Sequence, residues 1–489
     1  MATPKYKLAK VVGWFVIMAS AVSQEYGAGI NAVSTQSIGT YPGVGNLVPL
    51  IMFITGLLLI PKVFMFQRFG RVASRSGGEY VWISRTISPE VGFIIHFLYW
   101  AGVVSAMGFI GYTAGSTLAS TLVSLGITSG AWFATFAGHM VFGLALIWLF
   151  FLIHYSGVKS YGALVVILFA LIIFAAAISM FVGFTTSNAT YTVALSNQIF
   201  KGPIPSYTTP PLTYTSFFGT ITLFVFAYGG LSAAPLLGGE AKNPEKDMPR
   251  GIIMAWVVAL ALFTLVSLAI FHVITGPQVY ALINSKKSYY ATLPGILSIA
   301  EPPILGAIFT LVITVIIAKT IAPEMLGASR SLFAWGEDLI LPQIFTHTNR
   351  FKAPDFSLFV SAVIASLYLV YTTYVGVSTV DIRALSVLFV ILFLGVGVLL
   401  TRTKKNKKEW ETKVSTAAMV AAAIAGIIVT LIIVPSVLII PHVNIWLQPS
   451  FQILLAVVLA LIIYEAARVY RRSKGINLTE LIKSNLPLE

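Results

Sequence analysis

The sequence predicts an all-α integral membrane protein with about twelve transmembrane helices, from its composition and from the grouping of its apolar residues. Of the 489 residues, 57% are hydrophobic and only 10% are charged, whereas a soluble domain carries about 25% charged residues. The apolar residues fall into runs of roughly 18 or more, which is enough to cross the hydrocarbon core of a bilayer. These runs lack the alternation of polar and apolar residues that barrel strands show, so helices are expected.

The predicted spans follow one another without a water-soluble domain between them. Their approximate limits are 10–38, 44–68, 88–124, 130–154, 159–184, 214–238, 250–275, 303–334, 356–376, 380–401, 415–440 and 446–468. We interpret the chain as a cytoplasmic N-terminus, a ten-helix core in two halves, a basic cytoplasmic loop, helices 11 and 12, and a cytoplasmic tail. The limits of these parts are 1–9, 10–401 (halves of about 10–184 and 214–401), 402–413, 414–470 and 471–489.

The formal net charge of +14 is interpreted as membrane topology rather than nucleic-acid binding. Basic residues occupy every second connection between spans, and an excess of Lys and Arg is typical of cytoplasmic loops. Both termini are therefore expected in the cytoplasm of a multi-pass cell-membrane protein, with the lipid bilayer and its anionic headgroups as a partner. The residues assigned to cytoplasmic connections include Lys62, Arg68, Arg71, Arg75, Arg85, Lys242, Arg250, Arg330 and Lys404, and the outward connections hold little more than Lys201, Lys286, Lys287 and Arg383.

Several classes of function are disfavoured by residues that the sequence lacks. There is no cysteine, so no disulfide or thiolate metal site is expected. The histidines are scattered without the spacing of metal ligands, and no metal or cofactor is predicted. No GxSxG, HExxH or P-loop motif lies in a suitable place, which argues against an enzyme and against an ATP-driven pump.

Two predicted spans contain helix-breaking residues near their middle. The first holds Glu25–Asn31 (EYGAGIN) and the sixth holds Tyr228–Pro235 (YGGLSAAP). Glycine costs about 1 kcal/mol and proline about 3 kcal/mol inside a helix, so both clusters indicate unwound backbone. Such backbone is tolerated in a membrane where it lines a cavity, and paired interruptions in matching spans of two halves indicate a transporter site. The alternative is that the glycines serve close helix packing.

Several short motifs, in order and spacing, resemble the amino acid–polyamine–organocation superfamily of permeases. The resemblance is carried by Gly27-Ala28-Gly29-Ile30, Ser74–Tyr80 (SRSGGEY), Ser156–Lys159 (SGVK), Phe226–Gly230 (FAYGG), Gly239–Pro244 (GEAKNP) with Pro249-Arg250, and Ser329-Arg330 with Ala334, Asp338 and Leu341-Pro342. It implies a five-plus-five inverted repeat, the leucine-transporter-like fold, with discontinuous helices 1 and 6, followed by two C-terminal helices. It also implies alternating access and an amino-acid-like substrate. Gln24, Glu25, Asn31 and Ser232 depart from the residues that this resemblance leads us to expect.

The two breaks provide partners for a zwitterion. The N-terminus of a half-helix presents N–H groups that suit a carboxylate, and we expect those of Ala28, Gly29 and Ile30 to bind it. Unwound carbonyls suit an ammonium, and we expect those of residues 226–228 to bind it, with Gly230, Leu231 and Ser232 beside the side-chain pocket. Tyr228 is expected to form a gate or pocket wall, or else to be an ordinary packed aromatic. The predicted solute-binding residues are Tyr26, Gly27, Ala28, Gly29, Ile30, Phe226, Ala227, Tyr228, Gly230, Leu231 and Ser232.

Two ionisable residues near mid-membrane, Glu25 and Lys319, are the predicted coupling residues. In sodium-coupled proteins of the resembled fold, helices 1 and 8 flank a cation site, and the ammonium of a lysine could replace the cation there. We hypothesise that Glu25 and Lys319 form a proton-linked switch. The alternatives are a static ion pair or two residues that never meet.

Other charged residues are expected to have structural roles. Glu79 and Glu240 are expected to order cytoplasmic connections near Arg75 and Arg250, and Glu465 to pair with Arg468 on a helix surface. Pro323 is expected to kink the eighth span beside Glu324.

The predicted function is secondary active transport of amino acids by alternating access, coupled to protons. Few charged residues fall near the two breaks, which indicates an apolar pocket and neutral or broad specificity. The alternatives are sodium-coupled or exchange transport of an amino acid or polyamine, and a non-transporting amino acid sensor of the same fold. The partners expected are the amino acid, a proton or sodium ion and the bilayer, without nucleic acid, in a monomer or homodimer.

Overall fold

The computed structural model describes residues 8–375, 380–439 and 444–484. All regular structure in these ranges is helical, without a β-strand. The described residues contain eleven continuous helical stretches that are long and apolar enough to cross a membrane, and some of them, such as Pro42–Val72, Tyr214–Glu240 and Ile304–Glu337, join shorter helices. This confirms the prediction of an all-α membrane protein. The predicted first span, 10–38, is not among the eleven because its first helix ends after 12 residues, at Glu25.

The order of the helices fits two sets of five spans followed by a C-terminal pair. The first set contains α1 (Trp14–Glu25), α2 (Ser34–Thr40), α3 (Val48–Leu58), α4 (Ile60–Val72), α5 (Glu79–Thr86), α6 (Pro89–Ser124), α7 (Phe136–Tyr155), α8 (Val158–Thr185) and, after it, the short α9 (Asn188–Leu195). The second set contains α10 (Tyr214–Ala227), α11 (Ala233–Leu236), α12 (Pro244–Val273), α13 (Gly276–Asn284), α14 (Leu293–Ala300), α15 (Pro303–Ala318), α16 (Ile321–Glu337), α17 (Asp355–Val375) and α18 (Val380–Thr403). The C-terminal part contains α19 (Glu409–Val414), α20 (Ala417–Ile433), α21 (Pro449–Arg472) and α22 (Leu478–Ser484).

Proline explains where the sixth and eighth spans change their helical geometry. Pro323 has no N–H to donate to the carbonyl of Lys319, four residues earlier, and the N–H of Ala322 donates to that carbonyl instead, at 3.0 Å. The eighth span is consequently divided into α15 and α16 at Lys319 and Thr320, as the position of Pro323 predicts. In the sixth span, Tyr228–Ser232 form a 3₁₀ segment between α10 and α11, so this stretch changes helix type but is not unwound as the sequence predicted. Pro235 lies inside α11 and has no N–H to donate to the carbonyl of Leu231.

The start of the first span is fastened to the exit of the sixth. The N–H groups of Val11 and Val12 lie 3.0 and 2.9 Å from the carbonyl oxygen of Glu240, and the N–H of Lys242 donates to the carbonyl of Val12 at 2.8 Å. Just after this contact the guanidinium of Arg250 lies 3.8 Å from the ring centre of Trp14. The start of the first span and the exit of the sixth are thus held together, before the first predicted break and after the second.

Three basic residues that were expected in connections lie inside the protein instead. Lys62 is on α4, Arg330 on α16 and Arg383 on α18, and each is at most 1% exposed. Each lies next to a long apolar run, so the sequence pattern alone did not distinguish a buried charge from the edge of a loop.

Glu240 and Glu79, expected to order connections near Arg250 and Arg75, have other basic partners. The carboxylate of Glu240 lies 2.7 Å from Arg330 rather than near Arg250, and Glu79 faces Lys62 rather than Arg75. The predicted pair of Glu465 with Arg468 is confirmed, with 2.6 Å between the charged atoms.

Asp338, directly after α16, holds the connection between the second and third spans. It accepts hydrogen bonds from Arg85 at 2.7 and 2.9 Å and from the hydroxyl of Tyr80 at 2.6 Å, and Arg75 lies 3.4 Å away. Burial alone would raise the pKa of Asp338, but the two guanidinium groups and these hydrogen bonds hold its pKa below the ordinary value. Asp338 therefore carries its charge in the folded protein.

Candidate solute-binding site

The first span is interrupted where its sequence contains two glycines. Tyr26 leaves the helical conformation, with φ −81° and ψ 78°, and the N–H of Gly27 turns back to the carbonyl of Glu25 at 2.9 Å. Helical structure resumes with a π-helical turn at Gly29–Val33. The side-chain amide of Asn31 donates to the carbonyl of Gly27 at 2.7 Å, and the backbone N–H of Asn31 donates to the same oxygen at 3.3 Å. Asn31 is thus a local support of the predicted break.

The two interrupted segments touch each other through glycines. A methyl group added at Gly29 would lie 2.6 Å from Cβ of Ala227, and one added at Gly230 would lie 2.5 Å from the backbone nitrogen of Glu25. Both distances are shorter than any ordinary contact, so only glycine allows the backbones to approach this closely. The close-packing explanation of these glycines therefore holds, and it brings the predicted carboxylate and ammonium sites side by side.

A small cavity lies between the two breaks. Its volume is about 10 Å³, room for roughly one water molecule. A whole amino acid needs more space, so binding requires the surrounding segments to move apart. The cavity is lined by Gln24, Glu25, Ala28, Gly29, Ile110, Phe226, Gly230, Thr320, Glu324 and Arg383.

Five of the predicted site residues line this cavity: Glu25, Ala28, Gly29, Phe226 and Gly230. The remaining predicted residues adjoin it in the chain without lining it: Tyr26, Gly27, Ile30, Ala227, Tyr228, Leu231, Ser232 and Lys319.

The two aromatic residues in that group pack away from the cavity. The ring centres of Tyr26 and Tyr228 lie 6.0 and 4.8 Å from that of Phe263, on α12. The hydroxyl of Tyr228 donates to the carbonyl of Met52 at 3.3 Å. In this conformation Tyr228 is a packed aromatic rather than part of the cavity wall.

Lys319 and Glu25 have different partners. The ammonium of Lys319 donates to the backbone carbonyl of Ser23, near the end of α1, and Lys319 is 1% exposed. The carboxylate of Glu25 faces Lys62 and the backbone N–H of Leu231. These two side chains form no ion pair with each other among the charged contacts of the described chain, so the hypothesised pairing is absent from this conformation.

Six buried ionisable residues surround the breaks, and we call them the central charged cluster: Glu25, Lys62, Glu79, Lys319, Glu324 and Arg383. The cluster contains three acidic and three basic side chains, so its formal charges cancel. Glu324 and Arg383 are the closest oppositely charged pair, with 3.7 Å between a carboxylate oxygen and a guanidinium nitrogen. The expectation of an apolar pocket with few charges is therefore wrong. The sequence signal for Lys62 and Arg383 was a single charge at the edge of an apolar run, which a loop residue shows as well.

Comparison with known proteins identifies the family of this chain. Residues 11–462 match the model of a family described as amino acid permease. The chain is 24% identical to the branched-chain amino acid permease of Lactococcus lactis, over 78% of this chain and 82% of that protein. It is 22% identical to the serine/threonine exchanger of Bacillus subtilis, over 84% and 88%, and 21% identical to the lysine-specific permease of Lactococcus lactis, over 71% and 67%. The chain belongs to the amino acid permease family, a family of multi-pass membrane transporters rather than of enzymes.

Proposed function

We propose that this protein is a secondary active transporter that carries amino acids by alternating access. The observation that carries the proposal is the contact of the two interrupted segments around one cavity, where Gly29 meets Ala227. The α-carboxylate binds the N–H groups of Ala28, Gly29 and Ile30, and the α-ammonium binds the carbonyls of residues 226–228. Because both segments contribute to one site, movement of either changes the binding of the solute and the access to it.

Proton coupling is proposed through Lys319. Its ammonium bridges the eighth span to the carbonyl of Ser23, close to where α1 ends and the first break begins. Loss of a proton leaves a neutral amine that holds this carbonyl more weakly, since hydrogen bonds from charged donors are the stronger ones. The end of α1 is then freer to move. Glu25, which lines the cavity beside Lys62, is proposed as the second coupling group and responds to the solute directly.

Uptake into proteoliposomes of the purified full chain tests both proposals. An inward proton gradient is expected to raise the initial rate of amino acid uptake at least tenfold over vesicles without a gradient. Uptake that is stimulated by a sodium gradient and does not depend on pH would show that the coupling ion is sodium rather than the proton. Uptake that requires amino acid inside the vesicles would indicate exchange. Binding of amino acids without any transport would indicate a sensor.

The termini and the basic loop 402–413 are proposed to face the cytoplasm, in accordance with the placement of Lys and Arg. The absence of native cysteine makes labelling experiments simple. A cysteine introduced at Asn406, in that loop, should react with a membrane-impermeant maleimide only after cells are opened. A cysteine at Thr208, in the connection on the opposite side, should react in intact cells. The reverse pattern would contradict the orientation.

A further inference from the structure

We propose that the transported amino acid carries a polar, uncharged side chain, and this inference rests on the proposed transport function. The backbone groups of the two breaks account for the α-carboxylate and the α-ammonium. The cavity wall that remains for the side chain contains Gln24, Glu324 and Arg383. These residues are 5%, 4% and 1% exposed, so bulk water does not solvate them.

This wall holds both unused hydrogen-bond donors and unused acceptors. Both terminal nitrogens of Arg383 lack a hydrogen-bond partner, as do the Oε2 atom of Glu324 and both amide atoms of Gln24. The 3.7 Å between Arg383 and Glu324 is longer than the roughly 2.7–2.9 Å of a charge-assisted hydrogen bond. A ligand group that accepts from Arg383 and donates to Glu324 satisfies both at once.

An aliphatic side chain cannot do this. It would exclude water from the wall while leaving the same donors and acceptors unpaired, which is unfavourable for a buried polar group. A pocket that hydrogen-bonds its substrate discriminates strongly against an analogue that lacks the polar group.

A charged side chain is disfavoured for a different reason. The central charged cluster already contains as many acidic as basic side chains, so an acidic or basic solute side chain would bring an additional formal charge into a buried site. Carboxamide and hydroxyl side chains provide a donor and an acceptor without a net charge. The chemical class is therefore that of asparagine, glutamine, serine and threonine.

Pairs of amino acids with nearly the same shape test this inference. Calorimetric binding to the detergent-solubilised full chain compares asparagine with leucine, threonine with valine, and asparagine with aspartate. The first member of each pair should bind at least tenfold more tightly. The inference would be overturned if leucine and valine bound as tightly as their polar counterparts or more tightly. It would also be overturned if aspartate bound more tightly than asparagine.

A double substitution, Glu324→Leu with Arg383→Met, removes two of the three polar residues of the wall while keeping the formal charge of the cluster balanced. Replacement of both members of a buried pair by apolar residues is often tolerated, whereas removal of one leaves an unpaired charge. The preference for asparagine over leucine should fall at least tenfold in this variant. An unchanged preference would contradict the assigned role.

The matched control is Glu465→Leu with Arg468→Met, the same change at an exposed pair on α21, which should leave the preference unaltered. If the buried double variant does not fold, the amino acid pairs measured on the unmodified protein still decide the question. Failure of every amino acid to bind or to be taken up would refute the proposed function itself. Uptake of amino acids with leucine preferred would refute only the inference about the side chain.

Discussion

Glu240 lies 2.7 Å from Arg330, and both side chains are almost completely buried. The backbone carbonyl of the same glutamate accepts hydrogen bonds from Val11 and Val12, just before α1. Arg330 belongs to α16, so one residue connects the start of the first span, the exit of the sixth and the eighth span. If either interrupted span moves away from the eighth span, the contacts of Glu240 must therefore break or move with it.

Removing Arg330 should destabilise the protein strongly. Arg330→Ala leaves the carboxylate of Glu240 buried without its partner, and breaking a buried pair in this way costs about 3–5 kcal/mol. Thermal unfolding of the purified variant in detergent measures the loss. The control is Arg468→Ala, which breaks an exposed pair with Glu465 and should cost about 1 kcal/mol or less. Equal effects of the two substitutions would contradict the role given to Glu240.

Asp338→Asn should destabilise the protein in a manner that depends on pH. Because the folded-state pKa of Asp338 is lowered, its charge stabilises the folded protein above the unfolded pKa of about 3.9, and this contribution disappears as the pH falls through the lower folded value. The variant should thus be less stable than the parent at pH 7, and the difference should shrink below about pH 4. Unfolding measured from pH 3 to pH 7 checks this, and a difference that grows on acidification would be contrary to expectation.

Gly29→Ala should impair transport. The new methyl group would lie 2.6 Å from Ala227 and force the two breaks apart, at an expected cost of about 1–3 kcal/mol in stability. Because these segments form the proposed site, the initial rate of uptake should fall at least tenfold. Gly202→Ala is the control, since nothing lies within 4 Å of the position that its methyl group would take, and it should transport normally. Full activity of Gly29→Ala would mean that the close approach is not needed.

Lys319→Met should remove most of the dependence of uptake on external pH. Methionine keeps much of the length of the lysine side chain but cannot bind or release a proton, so the bond to the Ser23 carbonyl is lost at every pH. The comparison is Lys405→Met, in the exposed loop 402–413, which should keep the pH profile of the parent. A normal profile in Lys319→Met, with measurable uptake, would exclude Lys319 as the coupling residue.

The sequence was sufficient to predict the helical membrane fold and the place of the first break. Long apolar runs predict the helical membrane fold, because a bilayer offers no water to unpaired backbone groups. Gly27 and Gly29 indicate the place of the first break, because glycine is unfavourable inside a helix. Pro323 likewise predicted the division of the eighth span at Lys319.

The central charged cluster could not be predicted in the same way. Arg383 directly precedes an apolar run, and Lys62 directly follows one, so each had the sequence pattern of a loop residue. Glu324 and Glu79 lie on other helices than Arg383 and Lys62, and only the packing of the helices brings these groups together. The direction of a side chain at the edge of a span depends on neighbouring helices, which sequence periodicity does not report.

The most direct test of the shared site is a cryo-EM map of the full chain in nanodiscs with a saturating concentration of a transported amino acid. We expect solute density between the two interrupted segments, with the carboxylate against the N–H groups of residues 28–30 and the ammonium against the carbonyls of residues 226–228. Solute bound elsewhere, with residues 24–31 and 226–235 forming continuous α-helices, would contradict the account.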